Sequence, residues 1–504
     1  MKTSVISSLT IRVCMCVVII STLFSACKKD RNDNSLPAAP DVNFVALTAD
    51  NKIMLLNARS GLSAGQMPIT GLQASESLLA IDFRPASGEL YGLGSTSRIY
   101  AINFKTGVAR AIGAAPFTPA ISGTAVGFDF NPTVDRIRVV TSTGQNLRIN
   151  PETGAVAFVD GTVTTASKIT SVAYTENRAG AATTALFDID VTNNKLYKQD
   201  PPNDGTLTEI GSLNVDAEDA GGFDISPDGS VALAALTVSG QSGLFTIDLA
   251  TGAATKVGQF GTVITGIAIP TDPIAYVVNE NNELVIYNPN SGTTVLKPIT
   301  GLQTGENVLG IDTRPVNGQL YILGSSSRLY TLNAATGGAT AVGTAAFATP
   351  LEGTDFGFDF NPTVDRIRII SNTGQNLRAH PETGVIAAVD APLNPGTPSV
   401  TAAAYTNNFA GATTTVLFDI DSETNLLYKQ DPPNNGTLVT VGPLNVDVTA
   451  ANGFDIGSTS GFGYAMLTTS AGVKFYSIDL NTGRATAGAA FTSTVRGFTI
   501  GLGF

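Results

Sequence analysis

This chain spells out most of its sequence twice, at an offset of about 230 residues. The stretch GFDFNPTVDRIR at Gly127–Arg138 recurs unchanged at Gly357–Arg368. TGQNLR at Thr143–Arg148 returns at Thr373–Arg378, and YKQDPPN at Tyr197–Asn203 returns at Tyr428–Asn434. A duplicated chain must fold into duplicated structure, so the repeat constrains the architecture before any other feature. A finer period runs beneath it. Strand-like runs end in a turn of the form Asp/Asn-x-x-Thr/Ser-Gly, as at Asn103–Gly107, Asn150–Gly154, Asp248–Gly252 and Asp479–Gly483. In such a turn the Asx side chain accepts from backbone N–H groups two residues on, and the glycine takes the positive φ that closes the hairpin. Ten such turns fall about 40 to 52 residues apart, and the segments between them alternate apolar and polar residues as strands do. The second unit shows four strands, at Leu78–Phe83, Glu89–Gly94, Arg98–Asn103 and Val108–Ile112. Four short antiparallel strands per unit, many times over, predict an all-β protein: a β-propeller of ten four-stranded blades. A β-sandwich array would need units of about 100 residues without this subperiod.

The ten blades divide as five plus five. The first unit starts without an inner strand, at Asn43-Phe-Val-Ala-Leu47, and the chain ends on an unassigned strand, Arg496-Gly-Phe-Thr-Ile500. That strand matches Thr265-Gly-Ile-Ala-Ile269 in the middle of the chain. Two five-bladed rings would use Ile264–Ile269 and Val495–Ile500 as their closing strands. The alternative is a single ten-bladed ring closed once, because only Thr271-Asp272-Pro273 separates Ile264–Pro270 from Ile274–Val278, the length of an ordinary hairpin. The domain boundaries follow: a signal segment over 1–26, a tether over 27–42, and propeller repeats over 43–270 and 271–504.

The block GFDFNPTVDRIRVVTSTGQNLRINPETG and the upstream AIDFRPASGELYGLGSTSRIYAIN resemble the bacterial family called domain of unknown function 4394, grouped with β-propellers. Both halves match, over roughly 43–270 and 274–504. The resemblance implies a propeller fold and carries no activity. Members often hold one copy of this length, which implies that one copy closes by itself and favours two rings.

The N-terminus reads as an address. Lys2 and Arg12 precede the apolar run Val13–Phe24, too short to span a bilayer but suited to a signal peptide. It ends at Phe24-Ser25-Ala26-Cys27, which resembles a lipobox with Phe24 in place of the usual leucine. Cleavage before Cys27 would leave its thiol as the lipid attachment point. Cys14 and Cys16 lie inside the signal, so the folded part contains neither disulfide nor thiol nucleophile. The opening CKKD resembles surface lipoproteins of Bacteroidetes-type bacteria, which implies an outer-membrane lipoprotein at the cell surface or periplasmic face. A net charge of −12 without basic runs argues against nucleic acid and against direct binding of anionic headgroups.

Two sets of residues could carry chemistry. Asp82, Asp129, Asp224, Asp312, Asp359 and Asp455 share an apolar-Asp-apolar signature on inner strands. They could converge as metal ligands or as an acid and base. The favoured reading gives each one the job of accepting hydrogen bonds from the neighbouring blade, and no metal or cofactor is expected. The second set lies in blade three of each half. Arg136 and Arg138 leave one face of a strand, with Asp129 and Asp135 near in sequence and Gln145, Asn146 and Arg148 on the next strand. Asp359, Arg366, Arg368, Gln375, Asn376 and Arg378 repeat the arrangement, together with Asp365. Three arginines and two amides could clamp a carboxylate or a row of sugar hydroxyls; alternatively they form a charge network that fixes blade packing.

Absences narrow the function. His380 is the only histidine and sits where the other copy has Asn150, so no histidine-based triad is available. There is no Trp for sugar stacking, and Gly92-x-Gly94 opens no helix, so no phosphate-cradling loop exists. The expectation is a non-enzymatic, lipid-anchored binding or scaffold protein with a protein or glycan partner. The alternatives are a carboxylate-dependent glycan hydrolase, requiring converging carboxylates in an axial pocket, and a structural surface component, requiring no pocket.

Overall fold

Alternating side chains let the inner strands of a blade bury both of their faces, and the consequence is visible in blade three. Val139 packs against blade two with Tyr91, Leu93 and Phe128, while its neighbour Val140 packs against blade four with Val172, Tyr174 and Leu186. Side chains with a period of two supply both interfaces from one strand, which is what radial packing requires. The computed structural model describes residues 36–62, 65–123, 125–163, 168–449 and 452–504. Cys27 and most of the expected tether lie outside these.

The described residues form ten four-stranded antiparallel sheets. Blade two runs Leu78–Phe83, Leu90–Gly94, Arg98–Ile102 and Ala109–Ile112; blade three runs Val126–Asn131, Arg136–Thr141, Asn146–Ile149 and Val156–Val159. Their inner strands, with Ile169–Tyr174 of blade four, Asp219–Ile225 of blade five and Ile264–Ala268 of blade one, touch in sequence around one axis. A second closed circuit is made by Gly497–Ile500, Val308–Thr313, Phe356–Asn361, Val400–Tyr405 and Gly453–Ile456 of blades six to ten. There are thus two five-bladed rings.

The short link at 271–273, which made one ten-bladed ring an alternative, joins the two rings and is not a hairpin. Ile264–Ala268 pairs with the N-terminal strand Asn43–Thr48, with Val45 opposite Ala268. Ala275–Val278 pairs with the C-terminal strand, with Ala275 opposite Ile500. Each ring therefore closes on its own first strand.

The predicted turns form as expected. Asn103 Oδ1 accepts from the backbone of Lys105 and Thr106 at 3.0 and 3.1 Å, and Gly107 takes φ 74°. His380 does the same work with its ring: Nδ1 accepts from Glu382 N at 3.2 Å, where Asn150 Oδ1 accepts from Glu152 N at 2.8 Å. Five blades leave little room at the axis, and a Cβ on Gly127 would stand 2.8 Å from Val172 N.

Rings one and two pack together within the compact unit Pro37–Phe504. Tyr276 donates its hydroxyl to Ala86 O at 2.7 Å, Gly503 N donates to Ser87 O at 2.9 Å, and Arg84 reaches Gly318 O at 3.4 Å. The end of the expected tether is also held, since Ala39 and Val42 pack onto the core shared by blades five and one.

Candidate functional site

The blade-three arginines separate into different environments. Arg138 is 1% exposed and reaches outward between blades three and four. It donates to Asp160 at 2.6 Å, Asn146 Oδ1 at 2.7 Å, Asn203 Oδ1 at 2.7 Å and the Tyr174 hydroxyl at 3.2 Å. Arg148 stands opposite Arg138 across the strand pair, and Asp160 reconciles the two like charges by accepting from Arg148 at 2.7 and 2.8 Å. Burial alone would raise the Asp160 carboxyl; the hydrogen bonds from Arg148 and Arg138 outweigh it and hold the group below its usual range. Asn146 ties this cluster to the neighbouring blade by donating to Gly161 O and Pro202 O, both at 3.0 Å. Gln145 braces the preceding loop, accepting from Ser122 N and donating to Ala120 O. Arg136 is half-buried and, among the described residues, donates only to Asp135 O, at 2.7 Å.

Ring two repeats this set closely. Arg368 meets Asp390, Asn376, Asn434 and Tyr405; Arg378 makes a bidentate pair with Asp390; Gln375 braces Pro350 and Glu352. Arg366 donates to Asp365 O. Asp135 and Asp365, expected beside these arginines, pair instead with Arg84 and Arg314 of the preceding blades.

Asp129 stands opposite Arg138 on the same blade face, yet it belongs to a different cluster. It turns to the axis, where its oxygen and those of Asp82 and Asp224 lie within 4.8 Å of one another; Asp312, Asp359 and Asp455 do the same in ring two. Each also accepts a backbone N–H from the next blade: Asp82 from Phe130 at 2.9 Å, Asp129 from Tyr174 at 3.2 Å, Asp359 from Tyr405 at 3.0 Å. Blade stapling and axial convergence, read from the sequence as alternatives, are both present. Burial, then mutual repulsion, pushes Asp82, Asp129, Asp312 and Asp359 well above the usual carboxylate range; burial raises Asp224 to about 7 and Asp455 to about 6.

Two cavities of similar size are accessible elsewhere, one of about 500 Å³ lined in part by Asn103, Lys105, Arg110, Phe409 and Ser458, the other at one face of ring two. On the face where the inner strands of ring two begin, a cavity of about 550 Å³ opens over the axis. Glu280, Asp355 and Arg496 supply its charge, while Leu309, Leu351 and Val473 give it apolar wall. The side chains of Glu280 and Arg496 make no hydrogen bond or ion pair with other described residues. The positions matching Glu280, Asp355 and Arg496 in ring one are Ala49, Ala125 and Thr265. The copies that agree in the blade-three motif therefore differ at the mouth.

A family model described as domain of unknown function (DUF4394) matches residues 53–268 and again 283–499. The chain belongs to this family. It holds two tandem copies of the family domain, one per ring. No curated protein matches the chain. Among solved structures, the extracellular domain of a putative one-component system from B. thetaiotaomicron aligns over 90% of this chain, at 11% identity and a TM-score of 0.26. The alignment spans 65% of that chain's length.

For a tandem DUF4394 protein, sequence reasoning located Arg138, Asn146 and the axial aspartates but missed Asp160 and Asn203, which complete the arginine cluster. Both lie in stretches with counterparts in the second copy, Asp390 and Asn434. It also missed the mouth of ring two. The legible signal there was disagreement between the copies, at three positions where only one carries charge.

Proposed function

We propose that this protein is a non-enzymatic binding protein whose ligand docks in the mouth of ring two. The observation that carries the reading is the pairing of two uncommitted charges, Glu280 and Arg496, on the wall of a 550 Å³ cavity. Ligand sites combine an apolar lining with a few fixed polar groups, and this mouth has both. Its mixed donors and acceptors suit the end of a glycan chain; a polypeptide partner is the competing occupant. A purely structural surface component gives no reason for such a cavity. The glycan hydrolase reading needs carboxyl groups that touch substrate, with separations of roughly 5 Å or more. The axial aspartates are sealed, with Asp82 and Asp129 each 1% exposed, so they offer substrate no contact.

We place the protein outside the cytoplasm, held to the outer membrane through Cys27, on the strength of the lipobox-like segment. Arg496→Thr installs the residue of ring one. In a glycan-array and pull-down comparison, this variant should lose at least tenfold in binding while its melting temperature stays unchanged. Undiminished binding by Arg496→Thr and by Glu280→Ala would remove the mouth as the site.

A further inference from the structure

The axial cluster of ring one contains more negative charge than the protein around it answers. Asp82 and Asp224 each accept two backbone N–H bonds, but among the described residues Asp129 accepts only from Tyr174 N, and its buried Oδ2 has no partner. Asn177, fully buried, lies close enough to Asp224 to ease its carboxyl downward, yet neither its amide oxygen nor its nitrogen has a partner in hydrogen-bonding geometry. The arginines nearest in this ring are spent on Asp135, Glu152 and Asp160. Buried polar groups without partners are uncommon in native structures, and two of different chemical type meet here.

Ring two differs at one position of the same cluster. The inner-strand position that is Ala268 in ring one is Thr499 in ring two. The Thr499 Oγ1 lies 2.9 Å from Asp312 Oδ1 and 2.8 Å from Asp455 Oδ2. A hydroxyl has one proton, so it donates to one carboxylate and accepts from the other only if that group is protonated. In ring two a hydroxyl thus bridges Asp312 and Asp455, which requires a proton on one of them; among the described residues Asp359 accepts only from Tyr405 N, and the buried amide oxygen of Asn408 has no partner. Ring one has a methyl group in place of that hydroxyl.

We propose that the axis of ring one holds one calcium ion, bound by Asp82, Asp129 and Asp224, and by Asn177 with its amide turned to present the oxygen. The donors are all oxygen, which selects hard cations over zinc or copper. Oxygens within 4.8 Å of one another match the span across an ion with bonds of roughly 2.3–2.6 Å. Magnesium, at roughly 2.0–2.1 Å with strict octahedral demands, fits less well. The ion would neutralise carboxylates from blades two, three and five at once and so lock the ring from inside.

The test uses the purified full chain, stripped with chelator and then titrated with calcium or magnesium alone at pH 7.5. We expect one calcium bound per chain and a rise in melting temperature on the order of 5 °C, with little response to magnesium. Asp129→Asn retains the acceptor for Tyr174 but removes the charge; Ala268→Thr transplants the hydroxyl of ring two, a side chain the fold already accommodates. Both should abolish the calcium response while melting, in chelator, no lower than the unaltered chain. No calcium uptake, uptake that survives both substitutions, or an equal response to magnesium would each overturn the assignment. So would a second calcium lost on Asp359→Asn, because ring two is assigned to the hydroxyl and proton.

Discussion

Arg136 and Arg138 sit two residues apart on one strand face and look interchangeable in the sequence, yet their surroundings set very different consequences for loss. Arg138 is buried against Asp160, Asn146, Asn203 and Tyr174, so Arg138→Ala removes one partner of Asp160 and leaves the buried acceptors Asn146 and Tyr174 short of a donor. Breaking a buried pair costs about 3–5 kcal/mol. Arg148 keeps its own bidentate hold on Asp160, which places the expected loss at about 3 kcal/mol. Arg136 makes one hydrogen bond at the half-buried rim, so Arg136→Ala should cost about 0–1 kcal/mol. Urea melts of the two variants, and of Arg368→Ala against Arg366→Ala, measure the difference directly. Equal losses from both positions would contradict the geometry. The motif showed which residue types gather here. Which arginine is buried depended on the fourth strand and on the Asp200–Asn203 turn of the next blade, both folded in from elsewhere.

The closing strands are the elements on which ring integrity turns. Ile264, Ile267 and Ile269 belong to the core shared by blades five and one, and Ile264–Ala268 pairs along Asn43–Thr48. A chain spanning 41–270 therefore contains a complete ring and should unfold in a single cooperative transition. Ending it at 262 removes those isoleucines and leaves the Asn43–Thr48 edge unpaired, a loss of several kcal/mol at roughly 2 per buried isoleucine. Circular dichroism melts of the two chains test this; cooperative folding of the shorter one would show that closure is dispensable. The repeat pattern makes the closing strands legible in the amino-acid sequence, because each is left over once the four-strand units are counted. It leaves open which first strand each one meets, because a three-residue link suits a hairpin as well as a passage between rings.

Buried carboxylates give the whole molecule an unusual dependence on pH in calcium-free buffer. Asp224 at about 7, Asp455 at about 6 and Asp419 at about 8, all raised by burial, stand far above the roughly 3.9 of an unfolded aspartate. Between pH 4 and 8 the folded chain therefore holds more protons than the unfolded chain. Stability contributed by these groups is complete below about pH 4 and declines as the pH rises through 6 to 8. Asp160 and Asp390, whose carboxyls are lowered, act oppositely and lose their contribution on acidification. Stability should peak near pH 4–5 and fall towards pH 8, as read by melting temperature in chelator. A melting temperature that climbs steadily from pH 5 to 8 would mean that the carboxylates ionise freely.

Strand number, blade number and the duplicated motif were set by local chemistry: alternating apolar residues, Asx turns and positive-φ glycines act over a few residues and so are written where they act. Asp82, Asp129 and Asp224 could be read as inner-strand residues for the same reason. That they meet within 4.8 Å could not, because the axis exists only once five blades have closed around it. The uncommitted charges at the mouth of ring two are likewise spread between Glu280 and Arg496, over two hundred residues apart in the chain. The sequence already shows that the matching positions of ring one are uncharged; long-range packing brings Glu280 and Arg496 to one rim, and only the tertiary structure decided that both stand there without partners among the described residues.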